Sequence, residues 1–150
     1  MNYSNPIPQK FLVLEDDDIG VNAPRYHQST IAKLTAGLYP LYRAGTILLE
    51  PLPEMMLTEG YSSPTPDIIL YDYAEEQTRV VIEICQTNGQ KNDLKKVIWL
   101  IEENEYGILE GFVYNYKTRI WLRYRKGDGG VATKSSFSDV LNLGLGIFLV

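Results

Sequence analysis

Apolar positions repeat with a helical period near the start of the chain and with a strand-like pattern further along. Four side chains at gaps of four, three and four residues, His27, Ile31, Leu34 and Leu38, predict one face of an amphipathic helix. The segment Pro40–Gly45 predicts its end. Asp67–Tyr73 and Arg79–Cys85 are rich in β-branched and aromatic residues, which predicts two strands. The second is almost continuously apolar and is therefore expected to be a central strand, buried on both faces.

The second half of the chain predicts one more helix and a hairpin. Lys91–Glu103 has a helical pattern after a predicted loop at Gln86–Gln90, and Ile108–Tyr116 and Arg119–Arg125 form the predicted hairpin. Shorter predictions are strands at Lys10–Glu15, Thr46–Glu50 and Glu54–Thr58 and a turn of helix at Ser138–Leu141. This order indicates an α/β (α+β) fold in which helices pack on the faces of a sheet.

Composition places the chain in an ordinary globular class. A length of 150 residues suits a single domain over residues 1–150, and a hydrophobic content of 45% is enough for one core. No apolar run approaches the roughly 20 residues of a membrane span. The start of the chain lacks a secretory pattern, and Cys85 is the single cysteine, so we expect a soluble cytoplasmic protein with no membrane partner. With one histidine, a zinc site of the usual type is excluded, and a metal would need carboxylates.

Charge is distributed unevenly along the chain. The net charge of -5 argues against a protein that holds nucleic acid by bulk electrostatics. However, one segment of the second half carries six basic residues and a single acidic residue, Asp128. The basic residues of this strip are Lys117, Arg119, Arg123, Arg125, Lys126 and Lys134. Four of these, Lys117, Arg119, Arg123 and Arg125, are the candidate contacts to phosphates of DNA. The alternative is a solvated hairpin edge whose charges prevent edge-to-edge aggregation.

Glu83 is anomalous because it interrupts a strand that otherwise has the composition of core. An ionised carboxylate buried without a partner costs several kcal/mol, so Glu83 must be paired, protonated, exposed or bound to a cation. Asp67 begins the preceding strand, directly after Pro66, and the two acids can converge at one edge. A magnesium or manganese ion would offset their repulsion. The alternatives are an ion pair of Glu83 with Arg79 or Lys95 and a strand-entry role for Asp67.

These residues carry a resemblance to known nucleases. Pro66-Asp67 followed by Glu83-Ile84-Cys85 resembles the PD-(D/E)XK motif of restriction-endonuclease-like proteins. More closely, the stretch from His27 to Leu122 resembles the Uma-type endonuclease family, with the strands PDIILYD and VVIEI and a helix that opens near Asp93.

The resemblance implies both a fold and an activity. The fold is a restriction-endonuclease-like mixed central sheet flanked by helices. The activity is a magnesium-dependent (or manganese-dependent) endonuclease acting on DNA, in which Asp67, Glu83 and the backbone carbonyl of Ile84 hold the metal and His27 and Asp93 lie near the same cleft. Endonucleases of this fold often act as homodimers, so a homodimer is an expectation by analogy.

The sequence departs from the motif at its lysine. Cys85 occupies the position that points to the same face as Glu83, and Val97 occupies the helical position where the Uma-type family places a lysine. Lys95 and Lys96 lie close to this position and are the candidates to supply the missing ammonium group, with Lys96 the nearest in helical angle. A second hypothesis is therefore an inactive protein of the same fold that binds nucleic acid or a protein partner. A third is an unrelated α+β module in which Glu83 is merely ion-paired.

Overall fold

The computed structural model describes residues 23–58 and 63–150, so the predicted strand at Lys10–Glu15 lies outside the described residues. The elements in chain order are helix α1 (Ala23–Arg43), strands β1 (Glu50–Pro53), β2 (Ile68–Asp72) and β3 (Gln77–Cys85), helix α2 (Thr87–Glu102), strands β4 (Glu110–Asn115), β5 (Ile120–Arg125), β6 (Thr133–Lys134), β7 (Phe137–Ser138) and β8 (Leu143–Gly144), and a 3₁₀-helix (Leu145–Leu149). Within these residues, no helix is both long enough and apolar enough to cross a membrane.

Six strands form one mixed sheet in the order β1-β2-β3-β4-β5-β6. Strands β3 and β4 are parallel, and the other neighbours in this sheet are antiparallel. Helix α2 connects the parallel pair, because two parallel strands need a long crossover between them. Strands β7 and β8 form a separate two-stranded sheet. The predicted mixed sheet flanked by helices is confirmed.

The prediction of strands on either side of two prolines is wrong. The prolines lie within β1, and Pro51 is opposite Leu70 while Pro53 is opposite Ile68. Thr46–Glu50 is mostly a bend, and Glu54–Thr58 contains no strand. Strand β1 is at the edge of the sheet. A proline has no N–H to donate, and an edge strand tolerates this because one side has no partner strand.

Two further boundaries differ from the predictions. Helix α2 begins at Thr87, so the predicted loop at Gln86–Gln90 is instead the cap and first turn of this helix. The Asn115 amide donates to Thr87 Oγ1 (3.2 Å) and to Gln90 Oε1 (2.9 Å), contacts from another strand that local sequence does not reveal. Ser138–Leu141 is not helical, because Ser138 ends β7 and residues 139–142 form the turn between β7 and β8.

The core lies in two layers, one on each face of the sheet. Along β3, Val80, Ile82 and Ile84 pack with α1, whereas Val81 and Cys85 pack with α2. Side chains alternate along a strand, so Glu83 is directed to the α2 face. Gly111 in β4 allows α2 to approach closely, since an added Cβ would collide with Val97. The fold therefore places one acidic side chain of the central strand beneath helix α2.

Candidate functional site

The two predicted acidic residues meet at one end of the sheet. Ile68 pairs with Ile82, so Asp67 is adjacent to Glu83 in the antiparallel register. The Ile84 backbone N–H donates to Asp67 Oδ2 over 2.7 Å, which fixes the aspartate against β3. The Asp67 carboxyl is also close enough to hydrogen-bond with Glu83. The sequence-based expectation that these carboxyl groups converge therefore agrees with the geometry.

Lys96 from helix α2 supplies a cation to this pair. Its Nζ lies 2.8 Å from Glu83 Oε2, and both side chains are nearly buried, with exposed fractions of 11% and 5%. Lys95 on the same helix is exposed. Arg79, the other candidate partner of Glu83, instead lies 3.7 Å from Asp72 and donates to the Gly107 carbonyl. The proposed pairing of Glu83 with Arg79 or Lys95 is thus replaced by a pairing with Lys96.

The site perturbs the protonation of its own groups. Burial raises the pKa of Glu83, and the Asp67 carboxylate raises it further, while the Lys96 ammonium lowers it; the pKa is about 7. Burial by itself would lower the pKa of Lys96, but Glu83 outweighs that effect and the pKa is raised. A lysine held in its charged form beside two carboxyl groups is typical of sites where charge is used in binding or catalysis.

His27 and Asp93 border the same cluster. His27 Nε2 lies 3.2 Å from Asp67 Oδ2, so α1 reaches the acidic pair from the opposite side of the sheet. Asp93 lies close enough to Lys96 for its charge to raise the pKa of that lysine. The structure therefore brings together five of the residues singled out from the sequence: His27, Asp67, Glu83, Asp93 and Lys96.

The donors at this site suit a hard cation that keeps part of its own hydration shell. Carboxylate oxygens of Asp67 and Glu83, with a backbone carbonyl such as that of Ile84, are ligands of the type that magnesium and manganese prefer. In the described ranges 23–58 and 63–150, no three His, Cys, Asp or Glu side chains form a complete metal cage. Magnesium commonly binds through one or two carboxylates, with water or substrate oxygens completing its shell. The residues present fit that mode.

The basic strip divides into two parts. Arg125 Nη1 lies 2.9 Å from Asp139 and its Nε lies 3.4 Å from Asp128, while Arg123 donates to the Phe137 carbonyl. These two arginines hold β5 to neighbouring segments. Lys117 and Arg119 lie in the turn between β4 and β5 and line a cavity against α1.

Sequence reasoning missed Asn115, which organises this end of the sheet. The residue is 1% exposed. Its Oδ1 accepts from the N–H groups of Lys117 and Thr118 at 2.9 and 3.2 Å, while its amide holds the first turn of α2. The sequence did contain a signal for this role, because Asn115 is a polar residue at the end of a buried strand and directly before a turn.

Comparison with solved structures identifies a similar fold. A protein from Anabaena variabilis ATCC 29413, named a "putative nuclease belonging to DUF820", has a TM-score of 0.61 with this chain at 13% sequence identity; the match covers 81% of this chain and 79% of that protein. At this identity the similarity establishes a nuclease-like fold. No protein-family model and no curated protein matches the sequence.

Proposed function

We propose that this protein is a metal-dependent endonuclease of the PD-(D/E)XK superfamily and the Uma type, which hydrolyses phosphodiester bonds in DNA. The observation that carries the proposal is the cluster of Asp67, Glu83 and Lys96. A buried strand glutamate, an aspartate from the neighbouring strand and a lysine ammonium are the three charged groups of the PD-(D/E)XK motif. The nuclease-like fold of the chain supports this interpretation.

Lys96 provides a substitute for the lysine that the motif places at Cys85. The cysteine shares the strand face of Glu83 but is a buried, nearly apolar side chain. Lys96 reaches Glu83 from the helix that covers this face, so the ammonium is supplied by another element. Its raised pKa keeps the charge in place at neutral pH, where it would stabilise negative charge that develops on a phosphate.

Each residue then has a definite task. Asp67 and Glu83, with the Ile84 carbonyl, would hold magnesium or manganese, and the bound ion would polarise the phosphate and lower the pKa of a water molecule. The Ile84 N–H orients Asp67 by its 2.7 Å hydrogen bond. His27 contacts the same aspartate and limits its rotation. Lys96 favours the ionised form of Glu83, because the ammonium opposes the rise in pKa that burial causes.

Cleavage of supercoiled plasmid DNA with magnesium, with manganese and with EDTA tests the proposal. We expect metal-dependent nicking by the full chain and a loss of at least about 100-fold in the variants Asp67→Asn, Glu83→Gln and Lys96→Met. Lys95→Met is the matched control and should keep its activity, because Lys95 is exposed on the same helix. Circular dichroism confirms that each variant is folded.

The alternative is a protein of this fold that binds without cutting. The absence of a lysine at position 85 favours it. Calorimetric titration with magnesium and manganese separates the two functions, because a site that binds neither ion cannot perform the proposed reaction. Cleavage that persists in both Asp67→Asn and Glu83→Gln would also contradict the proposal.

A further inference from the structure

A groove lies between α1, the β4–β5 turn and the 3₁₀-helix. Its volume is about 550 Å³, which is within the range of small-ligand sites. The side chains that matter for its chemistry are Tyr26, Lys33, Tyr114, Tyr116, Lys117 and Arg119, and we call this site the tyrosine groove. Tyr26 lies in the first turn of α1, and this turn contains no acidic residue, so it contributes no negative side-chain charge to the groove.

Three basic side chains line the groove although the protein is acidic. None of its lining residues is an aspartate or glutamate. Lys33, Lys117 and Arg119 are exposed, and no carboxylate in the described part of the chain forms an ion pair with them. On a chain of net charge -5, three such cations around one cavity favour an anionic ligand.

Aromatic rings provide the second component of the groove. The Tyr26 side chain is 48% exposed. Its ring centroid lies 6.0 Å from that of Tyr116, with the rings tilted by 37°. Tyr114 is buried, and Arg119 lies close enough for its charge to oppose the rise in the pKa of Tyr114 that burial causes. Exposed aromatic faces beside unpaired cations are the arrangement that binds bases together with phosphates.

The groove lies on the α1 face of the sheet, whereas Glu83 and Lys96 lie on the α2 face, and the two sites are linked through neighbouring residues. Tyr26 precedes His27, which contacts Asp67. Tyr114 is the register partner of Ile84 in the parallel pair of β3 and β4, and the Ile84 N–H binds Asp67. The groove therefore adjoins the contact between His27 and Asp67 through neighbouring residues of α1, β3 and β4.

We propose that the tyrosine groove binds an unpaired segment of nucleic acid. Bases stack on Tyr26 and Tyr116, and phosphates contact Lys33, Lys117 and Arg119. A single strand is favoured over a duplex because stacking on a side chain requires an exposed base face, and a cavity of this size admits single nucleotides. The link to cleavage rests on the proposed nuclease function, whereas binding in the groove does not require it.

Fluorescence anisotropy in EDTA measures binding without cleavage or metal. The probes are a labelled oligothymidylate of about 12 nucleotides and a duplex of equal length. We expect the single strand to bind at least about ten-fold more tightly than the duplex, and Tyr26→Ala to weaken binding by about 5-fold to 100-fold. Lys33→Ala and Lys117→Ala should each reduce the slope of log Kd against log salt by about 0.7.

Controls use residues of the same type outside the groove. Tyr73→Ala removes a tyrosine that is 55% exposed, and Lys134→Ala removes an exposed lysine from β6, so neither should alter binding. Equal or tighter binding of duplex, or a Tyr26→Ala variant that binds like Tyr73→Ala, would overturn the inference. If groove-dependent binding is found and the plasmid is never cut, the nuclease proposal fails and this inference stands. If the plasmid is cut while Tyr26→Ala binds normally, the inference fails by itself.

Discussion

Replacing Lys96 by methionine tests the electrostatics of the site through stability. The substitution keeps most of the side-chain length and removes the ammonium that lies 2.8 Å from Glu83. Burial and Asp67 both raise the pKa of Glu83, and Lys96 is the group that opposes them. Without Lys96, the pKa of Glu83 rises above its present value of about 7.

The sign of the pH dependence follows from this rise. A carboxyl group whose pKa is higher in the folded protein than in the unfolded chain binds more protons when folded. Its contribution to stability is complete below the unfolded pKa, about 4.3, and is lost as the pH rises through the folded pKa. In the native protein this loss ends near pH 7, and in Lys96→Met it continues to higher pH.

The expected magnitude therefore depends on pH. At about pH 8, Lys96→Met leaves a buried carboxylate without its cation, and we expect a loss of about 3–5 kcal/mol in the free energy of unfolding. At about pH 5.5, Glu83 is largely protonated, so the loss should be about 1 kcal/mol, the contribution of one hydrogen bond. The exposed Lys95→Met should change stability by less than about 0.5 kcal/mol at either pH.

Urea unfolding followed by tryptophan fluorescence at the two pH values measures these differences. The double variant Glu83→Gln/Lys96→Met should recover most of the loss at the higher pH, because no uncompensated charge is then buried. A loss of equal size at both pH values, or an equal loss in Lys95→Met, would refute the electrostatic reasoning.

Four other substitutions test how the site is supported. Asn115→Ala removes four hydrogen bonds of a buried side chain, two to N–H groups of the β4–β5 turn and two to side chains of α2, and should cost about 2–4 kcal/mol in urea unfolding; a cost below about 0.5 kcal/mol would contradict this. Gly111→Ala forces a methyl group against Val97 and should cost about 1–3 kcal/mol, whereas Gly89→Ala meets only an ordinary contact at 3.7 Å and should be neutral or stabilising by up to about 1 kcal/mol. If Gly89→Ala lowered the melting temperature more than Gly111→Ala, close packing of α2 against β4 would be excluded as the cause of the destabilisation. Tyr124→Phe removes the hydroxyl that donates to Glu102 of α2 (2.6 Å) and accepts from the Gly130 N–H (2.8 Å), and it should cost about 1 kcal/mol by chemical denaturation; an unchanged midpoint would show that these bonds are not stabilising.

The amino-acid sequence determined the main elements of the fold because their hydrophobic periods are strong. The repeat from His27 to Leu38 gave α1, and the apolar run that ends at Cys85 gave the central strand β3. The anomaly of Glu83 was also visible in sequence, since a carboxylate within a core strand requires a partner. Where the local signal was ambiguous, as at the prolines of β1, the prediction was wrong because edge position is a property of the whole sheet.

Only the tertiary structure decided which cation joins the acidic pair. Lys95 and Lys96 are adjacent in sequence, but one residue of helix is a rotation of about 100°, so one side chain is directed to solvent and the other beneath α2 toward Glu83. The same holds for the tyrosine groove, whose walls come from α1 and from a turn some 90 residues later. Contacts between distant segments depend on how helices pack across the sheet, and no local period records that packing.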